Sequence, residues 1–568
     1  MREKQWNFLN SQYDRQDIIK AAERLSVSPV IITLLYNRNI CSDSEIKSFL
    51  SKSMKQVHDP YMLPDMNEAV DRIDYALRNN EKICIYGDYD VDGITATALM
   101  YRYLKEHGAD VSYYIPERLT EGYGINIKAV NKISKTGCRL LITVDCGITS
   151  YGETELAKAQ GMDVIITDHH SCTDQIPNAI AVVNPKREDS LYPFKELAGV
   201  GVALKMVLAL ALRFKEDVNQ VFYKYSPLAA IGTVADVMSL VNENRIIVHR
   251  GIKSLNENKF VGINALAEIA GIKEFNAGTV SFAISPRINA AGRMGSPELA
   301  AELLLSEDED KAAEMAQELN TENLRRRACE KDIFDEAEKL LKHNPELLQG
   351  AVIVLGGECW HQGVIGIVAS RLCERYLKPV VMISFDGKTG HGSCRSVEGF
   401  NLAEALTECG DLLEKFGGHA LAAGLTVSRD NFEEFTKKIN QVALSKTGGR
   451  ELAPVIDVDS RINPSLLTEA NISTLWQLEP FGQGNPEPVF VIENLQVASA
   501  MALGDGGAHL KLQLIKNGQT LSAIAFRKGE LLDKLYSGRV VDVAFTPEIN
   551  CYNGRRTVQL RIEDIHLK

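Results

Sequence analysis

The stretch Tyr86-Gly87-Asp88-Tyr89-Asp90-Val91-Asp92-Gly93 constrains the fold more than any other part of the chain. It follows Lys82-Ile83-Cys84-Ile85, a short apolar run with the character of a buried strand, and precedes Ile94-Thr95-Ala96-Thr97-Ala98-Leu99-Met100, which reads as a helix start. Three carboxylates therefore stand at the carboxyl end of a strand, the edge at which open α/β sheets bind ligands. Two unit charges about 4 Å apart repel by roughly 1 kcal/mol in water and roughly 4 kcal/mol near a protein surface, against a domain stability of about 5–15 kcal/mol. A bound divalent cation removes that cost. A calcium-type loop or a solvated acidic turn is the competing reading of an Asp-rich segment ending in Gly. Against it, the Glu that closes such a loop is missing and the flanks read strand then helix.

From about residue 80 the chain alternates strand and helix. Strand-like runs at Ile83 to Tyr86, Val111 to Ile115, Leu140 to Val144, Val164 to Thr167 and Ala179 to Val183 are mostly separated by a dozen or more residues, the signature of a parallel sheet with crossover helices. The third run stops at Asp145-Cys146-Gly147 and the fourth at Asp168-His169-His170, so three strands deliver acids or histidines to one edge. An Asp after a strand is often only a helix cap. Two histidines after an Asp are harder to explain that way, because neutral imidazole is a common metal ligand whose tautomer a carboxylate can fix. Asp236 lies in the apolar run Ala230-Ile231-Gly232-Thr233-Val234-Ala235-Asp236-Val237-Met238 and would be buried without a partner unless something binds it.

The 568 residues are 45% hydrophobic and 24% charged, ordinary globular composition for three or four domains. A net charge of -12 argues against a passive nucleic-acid coat but not against an enzyme with local basic patches. Eleven scattered cysteines without a C-x-x-C pair, and the polar start Met1-Arg2-Glu3-Lys4-Gln5, point to reduced thiols in a cytoplasm, and no apolar run is long enough to span a membrane.

With these four pieces in order, the chain resembles the DHH phosphoesterase superfamily, and within it the single-strand-specific DNA exonucleases. Asp88, Asp90, Asp92 and Gly93 look like its D-x-D-x-D-G motif, Asp145 its lone second acid, Asp168-His169-His170 the name-giving motif, and Asp236 the fourth piece. Pro116 to Gly124, Pro286 to Arg293 and Trp360 to Gly366 resemble further segments of the exonuclease branch, and Gly392-Ser393-Cys394-Arg395-Ser396 and Phe416-Gly417-Gly418-His419 resemble the associated DHHA1 domain. A further C-terminal domain carried by some members is not expected here.

The rest of the chain fits this layout from its own pattern. Residues 306–344 hold neither Gly nor Pro and repeat apolar positions at helical spacing, which predicts a long helix able to bridge two domains. Arg325-Arg326-Arg327 on it could face a phosphate backbone or be a solvated basic turn. A second α/β unit follows, with Ala351 to Leu355, a helix Val364 to Tyr376, Pro379 to Phe385 and the glycine-rich Gly387 to Arg395. Gly417-Gly418-His419 reads as a turn offering backbone N–H groups and an imidazole to phosphate oxygens. After about 450, short alternating strands carry Lys511, Lys516, Arg527, Lys528, Arg555, Arg556 and Arg561 interleaved with Phe526, Phe545 and Tyr552, with a turn at Asn553-Gly554. Many small barrels look like this; the resemblance implies a single-strand-binding OB-fold.

The expected architecture is α/β: an N-terminal packing segment at 1–60, a DHH catalytic domain with a parallel sheet at 61–300, a connecting helix at 301–345, a DHHA1 domain at 346–450 and an OB-fold β-barrel at 451–568. Residues alone support phosphoester hydrolysis; the resemblance implies a 5′-to-3′ exonuclease on single-stranded DNA releasing 5′-mononucleotides in recombination and repair. Two manganese or magnesium ions would be held by Asp90, Asp92, Asp145, His169 and Asp236, with Asp88 and His170 beside them. Arg118, Arg287, Arg293, His361, Ser393, Arg395, Gly417, Gly418 and His419 would hold the substrate. Single-stranded DNA is the expected partner, a single-strand-binding protein and a helicase further candidates, and a monomer the expected state. The rivals are an oligonucleotide or cyclic-dinucleotide phosphodiesterase, which needs neither long helix nor barrel, and an inactive replication scaffold, which would show gaps in the acid set.

Overall fold

Five apolar runs assemble the first sheet: β1 (Ile83–Tyr86), β2 (Val111–Tyr114), β3 (Leu140–Val144), β4 (Asp163–Thr167) and β5 (Ala181–Val183). All pairings are parallel and the order is β2-β1-β3-β4-β5. Every residue of β1 and β3 is buried, as expected of strands covered on both faces, which is why they read as unbroken apolar runs. The order reverses direction between β1 and β3. That is a topological switch point, where the crevice outside the strand ends is open to a ligand.

The computed structural model describes residues 4–9, 13–118, 120–448, 455–552 and 554–568. Two compact units emerge: His58–Met238 with Arg250–Leu452, and Met1–Val57 with Ser239–His249 and Ala453–Lys568. In the first unit the sheet is backed by α1 (Val91–Glu106), α2 (Gly199–Phe214) and α3 (Val218–Ala235), which pack on one another. The second of these is buried from Gly199 through Ala211, and its apolar all-round sequence requires that.

Next come α4 (Ser285–Met294) and α5 (Glu309–His343). At about 1.5 Å per residue the latter is roughly 50 Å long. Asp308 caps it by accepting from the N–H groups of Asp310 and Lys311. Its first half buries Ala312, Ala316 and Leu319, while Ile333, Phe334, Ala337 and Leu341 enter a core shared with α6 (Gln362–Tyr376). The second sheet runs β9-β10-β8-β7-β6, with β6 (Ile353–Glu358), β7 (Val380–Asp386), β8 (Thr389–Arg395), β9 (Leu413–Gly418) and β10 (Ala422–Ser428). Only β6 and β7 pair in parallel.

In the other unit, β11 (Phe490–Leu503), β12 (His509–Lys516), β13 (Gln519–Ala525), β14 (Val540–Tyr552) and β15 (Arg555–Leu567) close into a barrel, because β11 pairs with both β12 and β14. The N-terminal segment belongs to this barrel's core: Ile31, Ile32, Leu34, Leu35 and Ile46 cluster with Leu478, Phe490, Val541, Val543 and Phe545. Gln5–Phe8 pairs with Val455–Val458, and Arg245 donates 2.7 Å to the Leu478 carbonyl beneath the Phe49 ring. The expected turn residue Asn553 and the border at 450–451 lie outside the described residues. All eleven cysteines are free. Among the described residues, no helix is long and apolar enough to cross a membrane.

Candidate metal centre and phosphate pocket

Each acid of the centre is placed by local backbone chemistry. Asp90 caps α1, its Oδ1 accepting from the Gly93 N–H at 3.0 Å, so one carboxylate both starts the helix and faces the crevice. Only glycine fits at 93: a Cβ there would lie 2.6–2.7 Å from backbone atoms of Asp88. Asp92, one turn in, is buried and accepts from the N–H groups of Gly199 (2.7 Å) and Val200 (2.8 Å) at the start of α2. Asp145 leaves β3 in the left-handed region, φ 60°. Such a conformation costs a non-glycine residue energy and is characteristic of functional turns. Asp236 caps the carboxyl end of α3. It is only part-exposed, and the neighbour that its apolar run called for is His169, whose Nε2 lies 3.6 Å from Oδ2.

His169 is the hub. Its Nε2 is 3.2 Å from Asp145 Oδ1 and 3.9 Å from Asp92 Oδ2 as well. Three overlapping groups, Asp88/Asp90/Asp145, Asp145/His169/His170 and Asp92/His169/Asp236, each bring their ligand-capable atoms within 4.8 Å of one another. All seven expected catalytic residues are thus together, and Asp88 joins the candidate ligands. Burial first, then neighbouring carboxylates, hold Asp88, Asp92 and Asp145 well above the usual carboxylate range and push Asp236 up to about 7. Burial also pushes His169 down to about 3, keeping its imidazole neutral. Asp88 Oδ1 and Asp145 Oδ1 are buried and receive no hydrogen bond. Orphaned oxygens, crowded acids and a neutral imidazole form a donor set that fits hard divalent cations.

Sequence reading gave a carboxylate beside the histidines the task of fixing an imidazole; Asp168 does that for His170 and organises the turn as well. It accepts from the backbone N–H groups of Ile148, His169 and His170, and from His170 Nδ1 at 2.8 Å. Burial opposes its charge, but the His170 hydrogen bond and charge hold Asp168 below the usual range and raise His170 in return. Tyr123, missed in the sequence, places its hydroxyl 3.0 Å from His170 Nδ1, and Asn184 binds the His170 carbonyl. The small residues Ala198-Gly199-Val200 ahead of an apolar run were the available signal for the N–H groups that hold Asp92.

Beside this centre lies a cluster of cations. Arg293 donates 2.9 Å to the Gly363 carbonyl; burial, Arg118, Arg326 and Arg395 push it down to about 10, with Asp90 opposing. Arg395 Nη1 reaches the Cys394 carbonyl (2.7 Å) and Ser393 Oγ (3.3 Å), close against Gly366 of α6. His361 caps that helix, Nδ1 accepting from the Gly363 N–H at 3.2 Å, and burial together with Arg325 and Arg118 lowers it. Arg118, Arg293 and Arg395 form no ion pair among the described residues. Uncompensated guanidiniums with a serine and a helix N-terminus are suited to a phosphate.

The remaining expected substrate residues are placed differently. Arg287 binds Asn320 Oδ1 (3.1 Å) and the Ala283 carbonyl (2.7 Å), with Arg327 its charge neighbour. Gly417 and Gly418 end the exposed edge strand β9, and are not in a turn; the turn begins at His419, whose N–H donates to the Ala422 carbonyl. Cross-strand register aligns Gly417 with Gly424 and Gly424 with Ser393. The side-chain-free Gly424 between them went unnoticed in the sequence.

In the barrel several expected DNA contacts are otherwise engaged. Phe545 is fully buried in the core, Arg561 pairs with Glu487, Glu548 and Glu563, Arg556 with Glu469, Lys528 with Asp564, and Lys516 binds the Glu493 carbonyl. Nothing is described of the Tyr552 side chain. Lys511, Arg527, Arg555 and the half-exposed Phe526, edge-on to His509, remain outward.

Three family models fall on the chain in order: the DHH family N-terminal domain at 82–233, the DHHA1 domain at 349–445 and the RecJ OB domain at 458–564. Fold and site together define a DHH-type phosphoesterase extended by DHHA1 and OB domains. The single-stranded-DNA-specific exonuclease RecJ of Bacillus subtilis is 37% identical over 97% of this chain and 69% of its own length. That of Haemophilus influenzae is 34% identical over 96% and 98%. The crystal structure of Thermus thermophilus RecJ in complex with Mn²⁺ matches with a TM-score of 0.84 at 31% identity, covering 100% of this chain and 80% of that one. The chain belongs to the RecJ family.

Proposed function

We propose that this chain is a metal-dependent exonuclease that degrades single-stranded DNA 5′ to 3′ into 5′-mononucleotides, with two manganese or magnesium ions at its centre. One observation carries the end-directed cut, the 5′-to-3′ polarity being what the family resemblance implies: Arg293 is a charge neighbour of Asp90 on one side and of Arg118 and Arg395 on the other. A terminal phosphate held by these arginines stands beside the cutting site, so the first phosphodiester inside the strand is the one presented. The relatives named above are single-stranded-DNA-specific exonucleases, and solved RecJ structures hold Mn²⁺ or Mg²⁺.

Asp88, Asp90 and Asp145 would hold one cation, and Asp92, His169 and Asp236 the other. When bound, such ions neutralise the scissile phosphate and lower the pKa of an attacking water. The chain's own residues do the rest. Asp168 and Tyr123 fix the His170 ring, the N–H groups of Gly199 and Val200 fix Asp92, and Ser393 and Arg395 orient the 5′ end. The long α5 and the closed barrel argue against a dinucleotide phosphodiesterase, and the complete acid set argues against an inactive scaffold.

Domain borders at 60, 300, 345 and 450 follow the same reading. An enzyme restricted to single strands depends on others that unwind duplex and keep strands open. A helicase and a single-strand-binding protein are thus the fitting partners, in recombination and repair, for a cytoplasmic monomer. In the barrel, Lys511, Arg527 and Phe526 are the residues suited to gripping the strand.

The test is a time course on 5′-labelled and 3′-labelled single strands with manganese, magnesium or chelator. The 5′ label should appear at once as mononucleotide and only with metal. Arg395→Ala should also shrink the preference for a 5′-phosphate over a 5′-hydroxyl end by about tenfold or more, the scale of a charge-assisted hydrogen bond of roughly 1.5–3 kcal/mol. Mononucleotide released first from the 3′ end would contradict the polarity, and an unchanged end preference would place the phosphate elsewhere.

A further inference from the structure

The loop between Tyr114, the last residue of β2, and the helix Ile127–Ser134 brings two side chains to the site. The Arg118 guanidinium lies 5.2 Å from the ring centre of Tyr89, the residue between Asp88 and Asp90, and the Tyr123 hydroxyl lies 3.0 Å from His170 Nδ1. Nothing in the local backbone fixes Tyr123. Gly122 (φ 81°) and Gly124 (φ 82°) flank it in the left-handed region, a Cβ at Gly122 would meet nothing within 4 Å, and Tyr123 itself is 51% exposed. Glycine loses more backbone freedom on folding than any other residue, so the place of Tyr123 has to be imposed by contacts elsewhere in the loop.

One carboxylate imposes it. Glu121 Oε1 accepts from the Tyr114 hydroxyl at 2.7 Å and from Asn126 Nδ2 at 3.3 Å, and Oε2 accepts from the Glu117 N–H at 2.9 Å. The Glu121 N–H donates in turn to the Glu117 carbonyl at 2.9 Å. These partners come from the strand end before the loop, from the loop's first turn, and from the residue that caps the helix after it, Asn126 Oδ1 accepting from the Ala129 N–H at 2.8 Å. Asn126 also donates to the Tyr86 hydroxyl at 3.2 Å, which donates to the Gly124 carbonyl at 2.9 Å, so the far side of Tyr123 is tied to the same clip. Burial opposes the Glu121 charge, but the Glu117 N–H, Tyr114 and Asn126 hold the carboxyl below its usual range, and it stays an anion at neutral pH. An ionised acceptor binds its donors about twice as strongly as a neutral one, which suits a glutamate to gathering three of them.

We propose that Glu121 is a positioning residue of the nuclease: by joining both ends of its loop it holds Tyr123 on His170 and Arg118 over Tyr89, and it acts only through them. The proposal rests on the exonuclease reading above and adds the device that sets two of its side chains. Removing the clip releases the backbone on both sides of Tyr123 and leaves the buried strands β1 and β3 as they are.

The test joins two measurements on the full-length chain. The first is hydrogen–deuterium exchange in chelator, which needs no turnover. Glu121→Ala should exchange about tenfold faster or more at residues 117–126, with the strands of the first sheet exchanging as in wild type. The second is a double-mutant cycle on a 5′-phosphorylated single strand with manganese. Glu121→Ala should lower kcat/KM by up to about 100-fold, the scale of a reacting group misplaced by about 1 Å, and should shrink the preference for a 5′-phosphate over a 5′-hydroxyl end, because Arg118 is released with the loop. Tyr123→Phe should cost about tenfold alone, the scale of one hydrogen bond, but under about twofold in the Glu121→Ala background, since the contact is already lost there. Glu121→Gln, whose Oε1 can keep the Tyr114 and Asn126 donors, should fall between wild type and Glu121→Ala. Unchanged exchange at 117–126, faster exchange spread over the strands, or additive losses in the cycle would overturn the positioning role. A wild-type chain that cut no single strand would overturn the exonuclease reading and this role with it, and faster exchange in Glu121→Ala would then mark the carboxylate as a loop anchor alone.

Discussion

Asp145→Asn is expected to reduce turnover of single-stranded DNA by about 10³-fold while leaving the metal-free protein as stable as wild type, or more stable, at pH 7 and above. The loss follows from the place of Asp145 in two of the three overlapping groups. Removing a ligand charge forfeits several kcal/mol of transition-state stabilisation, on the order of 10³ in rate. Asparagine tolerates the φ of 60° at this position better than alanine, so backbone strain does not confuse the result.

The stability sign follows from linkage. Burial, then Asp92, Asp90, Asp88 and Asp236, raise the Asp145 pKa well above its unfolded value. Above an unfolded pKa of about 3.9 the folded state therefore binds more protons than the unfolded one. The group's contribution is fully present below that pH and is lost as pH rises through the folded pKa. Melting temperatures in chelator should match at low pH and diverge in favour of Asp145→Asn as pH rises. Manganese should reverse the order, since a ligand at 100 times its Kd adds about 2.7 kcal/mol to the chain that binds it. A variant less stable than wild type at high pH in chelator would contradict the crowded-carboxylate account.

Removing the chain beyond residue 452 is expected to cost the fold of the N-terminal helices as well as the barrel. Ile31, Ile32, Leu34, Leu35 and Ile46 are fully buried in a core shared with barrel residues. At about 1.5–3 kcal/mol per side chain, exposing these five forfeits on the order of 7–15 kcal/mol, comparable to a whole domain's stability. Gln5–Phe8 would lose its partner strand too. The shortened chain should be cut rapidly within residues 1–57 under limited proteolysis and should tend to aggregate. Protease resistance equal to wild type in that segment would show that the N-terminal helices fold without the barrel. The barrel's grip on DNA is therefore better measured with substitutions at Lys511, Arg527 and Phe526 than by deletion.

The metal centre was legible because its chemistry is written as strand, acid, helix. Asp88, Asp90, Asp92, Asp145, His169, His170 and Asp236 each stand at an element end that hydrophobic pattern alone marks. Asp168 was legible as a motif but not as an acceptor of four hydrogen bonds, since its role depends on how two turns meet. The barrel residues were misassigned for a different reason. Composition counts aromatic and basic residues without saying which face they occupy, and Phe545 follows Val541 and Val543 at the two-residue period of the inward face. Arg561 offered no such cue, because Glu487, Glu548 and Glu563 come from distant segments. The N-terminal stretch read as a packing segment, but the sequence cannot say that the matching core lies more than 400 residues away.

The central claim is that acids delivered by several element ends at one switch point share two divalent cations. Its most direct measurement is an anomalous difference map, at the manganese edge, from crystals of the wild-type chain soaked in manganese. Two peaks are expected, one in contact with Asp88, Asp90 and Asp145 and the other with Asp92, His169 and Asp236, both diminished in Asp145→Asn. No peak at these residues, or occupancy unchanged by Asp145→Asn, would contradict the account.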